Sequence, residues 1–394
     1  MTTGASAVVA RLGEDFLAQA YGRTYRVVRG DATTTADLFG WEDLNTILAQ
    51  HRLEAPRLRL SAGGEMLHQH TYARPFMTRR STVWHRMQPN ALHARLSEGA
   101  TLVLDAVDEL HYGAQTLAAE LERFLRTGVQ INLYASWTDT EGFGTHWDDH
   151  DVVVVQLDGA KRWKLYGPTR KAPLHRDVEA PEPPPEEPVV DLVLTSGDVL
   201  YLPRGWWHAV AASEGQHSLH LTCGLQTVIG ADVLIWLADV LRAEEAVRGD
   251  VPRLLSEAEQ RAYAAQLGKI VSDEFARPDL IDRFLAARDA GERLRLRPSL
   301  PYLSAVPPQA DLPVRLLANR PRLTTDADGL AVLAAGGEEW SFAGQARPLL
   351  DLLLDGQSHA LGVLAEAAQV SVGQAATLVT ELVSGQIVAV GGER

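Results

Sequence analysis

The chain has 394 residues, of which 46% are hydrophobic, so it is long enough for two or three domains with at least one well-filled core. Its single cysteine, Cys223, excludes an intramolecular disulfide and a thiolate metal cluster, and predicts a reducing, cytoplasmic compartment. The net charge of −14 argues against a general affinity for nucleic acid phosphates and favours a basic partner. No apolar run is long enough for a membrane span or a signal peptide, so we expect neither.

The first two hundred residues are predicted to form short elements separated by turns. In chain order these are a strand at 25–28, a helix at 38–50, a helix at 118–126 and a strand at 129–134. Residues 152–156 follow as a buried strand, Asp158-Gly159 as a hairpin turn and residues 161–166 as the returning strand. After a Pro-rich loop, strands are predicted at 189–194, 199–202 and 207–210. Many short antiparallel strands indicate a sandwich or jelly roll.

The pattern changes to helices beyond residue 230. Helices are predicted at 231–247, 256–275 and 279–289, and a Pro-rich link at 298–313 leads to helices at 347–354, 361–367 and 371–384 and a strand at 387–390. The chain is therefore predicted to be α+β, with a β-rich domain over 1–228, a helical region over 229–300 and a winged-helix-like domain over 301–394. From residue 340 onward there are two basic and five acidic residues, so we expect no DNA binding there.

Two short motifs carry the chemistry. His146-Trp147-Asp148 leads into a predicted strand, where alternation would put His146 and Asp148 on one face, and His208 follows a Pro-Arg-Gly turn that aims it. Two imidazoles and one carboxylate are the ligands by which mononuclear non-haem Fe(II) sites hold a metal and leave positions open. His150 falls on the same face as Asp148 and is a competing ligand, although a second-shell or substrate-facing role is favoured.

Lys161 is predicted to point into the same interior as the metal ligands. A strand lysine ordinarily extends its ammonium to water, whereas a buried ammonium requires an anion. A keto acid bound to the metal through its 1-carboxylate and 2-keto group would bring a second carboxylate to this position. The interior is also expected to contain the polar rows Asn132 and Tyr134, and Ser218, His220 and Thr222. For both rows a ligand role and ordinary interior hydrogen bonding stay open.

The segment from Asn132 to Thr222 resembles the JmjC-type, cupin-fold 2-oxoglutarate oxygenases, and within them the ribosomal oxygenase group. The likeness rests on residues 132–134, Gly142-Phe143, 146–149, 156–163, Gly197-Asp198 and 202–208. It implies a double-stranded β-helix with Fe(II) on His146, Asp148 and His208, and Lys161 on the 5-carboxylate of 2-oxoglutarate. Cosubstrate or substrate contacts are implied for Asn132 and Tyr134 and are expected for Ser218 and Thr222. His150, His220 and Arg204 are expected to contact either the metal ligands or the substrate. The later regions resemble the family's dimerisation module and winged helix, which implies a homodimer.

These observations predict a dioxygenase that uses Fe(II), 2-oxoglutarate and O2 to hydroxylate a side chain of a protein or peptide. A basic ribosomal protein is the favoured substrate. One alternative is hydroxylation of a biosynthetic precursor peptide or amino-acid derivative. Another, from a different class, is a metal-binding cupin scaffold without catalysis, and lysine demethylation is considered less favoured than hydroxylation.

Overall fold

The computed structural model describes residues 4–77, 79, 83–178, 182–213 and 215–392. The chain folds as two compact units, Met1–Thr227 and Val228–Arg394. No helix of the described chain is long and apolar enough to cross a membrane.

The first unit combines helices with many short strands. The helices are α1 (Gly4–Leu12), α2 (Phe16–Gln19), α3 (Trp41–Gln50), α4 (Pro89–Ser97) and α5 (Tyr112–Leu125). The strands are β1 (Arg26–Val28), β2 (Leu58–Ala62), β3 (Glu65–Met66), β4 (Ala73–Met77), β5 (Val83–Met87), β6 (Thr101–Leu104), β7 (Val129–Ser136), β8 (Asp151–Pro168), β9 (Val190–Thr195), β10 (Val199–Leu202), β11 (Trp206–Ala212) and β12 (Ser218–Leu225).

Antiparallel pairing arranges most of these strands around β8. The main sheet has the order β1-β10-β8-β12-β7-β6-β2-β3, and β9 and β11 pair with the later half of β8. Two sheets therefore share one long strand, which is a jelly-roll arrangement and agrees with the predicted class. Strands β4 and β5 form a separate two-stranded sheet.

The predicted hairpin at Asp158-Gly159 is wrong, because β8 runs through both residues as one strand of 18 residues. Gly159 has φ +68°, and a Cβ at this position would overlap the carbonyl oxygen of His217. Up to Gly159 the strand pairs with β10 and β12, and from Ala160 it pairs with β9 and β11. A glycine here lets the strand bend from one sheet into the other, as at a barrel corner.

The register of β7 is fixed by burial on one of its sides. Ile131, Leu133 and Ala135 are completely buried in the core that α1 and α5 cover. In α5, Leu117 and Leu121 belong to the same core at helical spacing. Because strand side chains alternate, the intervening polar residues of β7 face the opposite side of the sheet.

The second unit begins with helices and ends in a mixed region. Its helices are α6 (Gly230–Val240), α7 (Glu245–Arg248), α8 (Glu257–Phe275), α9 (Leu280–Ala290), α10 (Arg347–Leu353), α11 (Leu361–Ala367) and α12 (Val372–Ser384). Its strands are β13 (Pro313–Leu316), β14 (Arg322–Thr325), β15 (Ala331–Ala335), β16 (Glu338–Phe342), β17 (Ser358–Ala360) and β18 (Val388–Val390), in sheets of order β17-β13-β18 and β14-β15-β16.

The predicted helices of this unit are present, but one of them is interrupted. The helix predicted at 231–247 ends at Val240, and a 3₁₀ turn at Leu241–Ala243 separates it from α7. Capping boxes begin two of the others, with Ser256 and Glu259 at α8 and Ser371 and Gln374 at α12. Strands β13 to β17 were not predicted, whereas β18 corresponds to the strand predicted at 387–390.

Candidate metal centre

Three predicted ligands lie together in the first unit. One ligand atom each from His146, Asp148 and His208 lies within 4.8 Å of the others. His208 Nε2 is 3.7 Å from Asp148 Oδ2, and the two imidazole centroids are 4.3 Å apart. This spacing allows all three side chains to bind one ion on a single side. Within the described residues, no other group of this kind is formed by His, Cys, Asp or Glu.

The backbone brings the two histidines together. His146 N–H donates to the carbonyl oxygen of His208 at 3.0 Å, and His208 N–H donates to that of His146 at 2.8 Å. The His146-Trp147-Asp148 triplet lies before β8, which begins at Asp151, and so not in a strand as predicted. Gly205 N–H donates to the carbonyl oxygen of Asp148 at 2.8 Å, so the turn that precedes His208 also fixes the third ligand.

Both imidazoles are held in the tautomer that a metal requires. His146 Nδ1 lies 3.0 Å from the carbonyl oxygen of Gly144, and His208 Nδ1 lies 2.9 Å from that of Trp206. Because a carbonyl oxygen only accepts, each Nδ1 carries a proton, and Nε2 is the ring nitrogen left to bind a metal. Burial, with His146 as the next cause, lowers the pKa of His208 to about 4. His208 is therefore neutral near pH 7, as a metal ligand must be.

Lys161 is buried with no opposite charge. Lys161 is only 3% exposed, and its Nζ donates to Ser136 Oγ at 2.7 Å. Burial lowers the pKa of Lys161 from 10.5 to about 8. In the part of the chain that the structure describes, no carboxylate pairs with this ammonium, so the site is prepared for an anion from outside.

The two predicted polar rows lie side by side on one face of the paired strands β7 and β12. The pairs in register are Asn132 with Thr222, Tyr134 with His220, and Ser136 with Ser218. The rings of Tyr134 and His220 are stacked, with centroids 5.0 Å apart and an angle of 3° between their planes. Burial raises the pKa of Tyr134 and lowers that of His220, which the charge of Lys161 lowers further. His220 Nδ1 is buried and has no hydrogen-bond partner among the described residues.

Two members of these rows already have protein partners. Asn132 Oδ1 accepts from the N–H of Ala106 at 3.0 Å and from Gln130 Nε2 at 3.1 Å. Ser218 Oγ accepts from Gln156 Nε2 at 2.9 Å and is completely buried. Both side chains are thus held in place by hydrogen bonds inside the unit.

His150 and Arg204 lie outside the ligand set. His150 Nδ1 is 3.0 Å from Asp149 Oδ1, and its ring is 40% exposed, so it is not the competing ligand that the sequence left open. The N–H of Arg204 donates to Asp151 Oδ1 at 3.0 Å, while one guanidinium nitrogen is buried without a partner within the described chain.

Sequence reasoning missed two residues at this site. Ser136, the hydrogen-bond partner of Lys161, continues the alternation of Asn132 and Tyr134 and could have been found from it. Trp163, predicted to be a packing residue, stacks on His208 with centroids 5.7 Å apart and an angle of 27°. Its ring shields one side of that ligand from solvent.

Comparison with known proteins agrees with this geometry. Residues 109–233 match the family model of the JmjC domain. The chain is 31% identical over 137 residues to the bifunctional lysine-specific demethylase and histidyl-hydroxylase NO66 of Drosophila persimilis, a stretch that covers 35% of this chain and 20% of that protein. The corresponding protein of Aedes aegypti is 32% identical over 153 residues, which cover 38% of this chain and 24% of the relative. The matched stretch is thus about a fifth of the length of these relatives.

A solved structure matches nearly the whole chain. The ribosomal oxygenase YcfD of Escherichia coli, in complex with cobalt and 2-oxoglutarate, has a TM-score of 0.61 at 17% identity, over 96% of this chain and 98% of that chain. A second structure of the same protein gives a TM-score of 0.61 at 19% identity, over 95% and 97%. Residues 109–233 are therefore similar to the JmjC domain, and the chain shares its fold with this E. coli protein.

Proposed function

We propose that the chain is an Fe(II)- and 2-oxoglutarate-dependent oxygenase that hydroxylates a side chain of a protein. The observation that carries the proposal is the grouping of two imidazoles and one carboxylate in a unit that also contains a buried lysine, with which no carboxylate of the described residues is paired. Such a ligand set leaves coordination positions open for cosubstrate and oxygen. When bound, iron(II) would supply dioxygen activation, with 2-oxoglutarate leaving as succinate and CO2.

The donor set fits Fe(II). His146 and His208 would bind through Nε2, since each Nδ1 is engaged by a carbonyl oxygen, and Asp148 would bind through a carboxylate oxygen. These three residues would hold the metal. Trp163, stacked on His208, would exclude water from that side of the centre.

Lys161 would bind the 5-carboxylate of 2-oxoglutarate. The ammonium is desolvated, and among the described residues its one hydrogen-bond partner is the Ser136 hydroxyl, so an entering carboxylate would offset part of the cost of its burial. Tyr134, Thr222 and the free Nδ1 of His220 would line the remainder of this pocket.

The other predicted site residues would either support the wall of the pocket or contact the substrate. Asn132 and Ser218 would position the pocket wall through their bonds to Ala106 and Gln156. His150, with its partly exposed ring, and Arg204 would contact the polypeptide substrate.

A ribosomal protein is the substrate class that we propose. Two observations support it: the fold match is to a protein described as a ribosomal oxygenase, and the relatives by sequence are described as histidyl-hydroxylases. The net charge of −14 favours encounter with a basic protein. A precursor peptide or amino-acid derivative is the competing substrate, and a catalytically silent scaffold is the competing role.

The test is substrate-coupled turnover by the purified chain. With Fe(II), 2-oxoglutarate and a pool of ribosomal proteins, we expect succinate formation together with a mass gain of one oxygen on a single protein. Asp148→Ala should abolish both, whereas His93→Ala, which removes an exposed histidine far from the ligand set in sequence, should leave both unchanged. Loss of a methyl group would instead indicate demethylation, and absence of 2-oxoglutarate consumption with every substrate pool would favour the scaffold.

We also propose that residues 229–300 form a dimerisation region and residues 301–394 a winged-helix domain. Helix α8 has 19 residues and none of them is buried, while Ile235 and Leu254 are 70% and 95% exposed. Apolar surface of this kind indicates a protein interface, and a second copy of the chain would cover it. In the later region, α10, α11 and α12 accompany the three-stranded sheet β17-β13-β18, which is the composition of a winged helix.

A further inference from the structure

One stretch of this acidic chain contains no acidic residue. Between Glu65 and Glu98 there is no Asp or Glu, although about four would be expected from the chain average. The same stretch contains five arginines and four histidines: Arg74, Arg79, Arg80, Arg86, Arg95, His68, His70, His85 and His93. The net charge of the whole chain therefore conceals a locally basic segment.

The centre of this segment is the two-stranded sheet of β4 and β5, here called the basic ribbon (Ala73–Met77 and Val83–Met87). In its register Arg74 is opposite Arg86, and Phe76 is opposite Trp84. Because side chains alternate along a strand and opposite residues share a side, these four residues lie on one face of the ribbon. That face alternates cations with aromatic rings.

The two arginines are arranged as an anion site. Both are exposed, they are direct cross-strand neighbours, and neither forms an ion pair within the chain that the structure describes. Like charges directly opposite each other destabilise a strand pair, and an anion between the guanidinium groups would remove that repulsion. The guanidinium of Arg52 lies 4.5 Å from the ring centroid of Trp84, but it is already paired with Glu54 at 3.0 Å. Among the described residues, the two free cations of this face are therefore Arg74 and Arg86.

The aromatic pair gives the surface a second property. Phe76 is 46% exposed, and its ring is edge-to-face with Trp84 at 5.6 Å and 69°. Trp84 supports Phe76 from one side and leaves much of its ring open to a ligand. Cationic side chains attract the phosphates of a nucleic acid, and aromatic rings stack with its bases. A surface that alternates cations and aromatic rings is therefore typical of proteins that bind single-stranded nucleic acids. An acidic peptide would use the arginines but would gain little from the open ring.

We propose that the face of the basic ribbon formed by Arg74, Phe76, Trp84 and Arg86 binds a single-stranded nucleic acid. Phosphates contact the two guanidinium groups, and a base stacks on Phe76. This binding goes beyond the oxygenase activity, since it requires neither the metal nor 2-oxoglutarate.

The test is binding of a fluorescent oligouridylate to the full chain, measured by anisotropy over a range of salt concentrations. With Arg74→Gln/Arg86→Gln, two phosphate contacts are lost, so the slope of log K against log salt should become less steep by about 1.4. With Phe76→Ala, affinity should fall at least about fivefold and the slope should stay unchanged.

The matched control is Lys171→Gln/Arg322→Gln, which removes the same charge from two exposed cations outside both the basic ribbon and the proposed dimerisation region. It should bind as the wild type does, and thermal unfolding of all variants should coincide because every substituted side chain is exposed. The proposal is overturned if the wild type does not bind at low salt or if the control pair loses affinity equally. Tighter binding of polyglutamate than of oligouridylate would assign the face to acidic polypeptides and would also overturn it.

Discussion

Replacing Lys161 with methionine should stabilise the protein and make it insensitive to 2-oxoglutarate. Burial lowers the pKa of Lys161 from 10.5 to about 8. At neutral pH the ammonium stays charged inside the folded protein, which lowers the free energy of unfolding by about 3 kcal/mol. Methionine fills the space without a charge, and loss of the hydrogen bond to Ser136 offsets about 1 kcal/mol. We therefore expect Lys161→Met to raise the free energy of unfolding by about 2 kcal/mol at pH 7.

The difference should change with pH in a defined window. Because the pKa of Lys161 is lower in the folded than in the unfolded state, the stability from the neutral amine is fully present above pH 10.5 and is lost as the pH falls towards about 8. The wild type should thus gain about 3 kcal/mol relative to Lys161→Met between pH 8 and 10.5, and no further change should occur below pH 8.

Urea unfolding of the metal-free protein at several pH values measures this difference. Unfolding with Mn(II) and 2-oxoglutarate then measures cosubstrate binding, which at one hundred times the dissociation constant should add about 2.7 kcal/mol to the wild type and nothing to the variant. The control is Lys164→Met, a half-buried lysine on the same strand, which should show neither effect. A Lys161→Met protein less stable than the wild type at pH 7 and still stabilised by 2-oxoglutarate would refute the reasoning.

Three further predictions concern the strand corner, the metal and the helical region. Gly159→Ala should lower the free energy of unfolding by about 2 kcal/mol or more in urea, because alanine at φ +68° is strained and meets the His217 carbonyl; Gly268→Ala, in an open helical position, should be neutral or stabilising. Asp148→Asn keeps the shape but removes the charge, so cobalt(II) affinity should fall at least about tenfold by calorimetry, and an unchanged affinity would contradict the ligand assignment. Leu254→Asp should convert a dimer into a monomer in light scattering; an unaltered mass would argue against an interface at that side chain.

The features that sequence predicted well are those with local causes. Residues 371–384 were predicted as a helix from apolar spacing, and the Ser371 and Gln374 capping box begins it at the expected place. The turns before His146 and His208 are also local, and the structure brings these two side chains and Asp148 together; that they bind a metal stays a prediction.

Failures came from distant partners. Asp158-Gly159 has the sequence of a hairpin turn, but β12, which follows much later in the chain, pairs alongside it and keeps β8 continuous. Lys161 therefore lies within β8 and not at the start of a returning strand. Likewise, β13 to β16 are strands of four or five residues, too short for a clear alternation. Their partners, β17 and β18 for β13 and one another for β14 to β16, cannot be read from a single segment.

The reciprocal pairing of His146 and His208 links the metal centre to the main chain. The two amide N–H groups of that bridge belong to two of the residues whose side chains would bind an ion. A divalent cation would therefore link two segments that are far apart in the sequence. With an ion bound to both histidines, opening of this bridge would be disfavoured. Deuterium uptake at these two amides should consequently slow when the metal binds. The exchange rate would then measure metal occupancy independently of enzymatic activity.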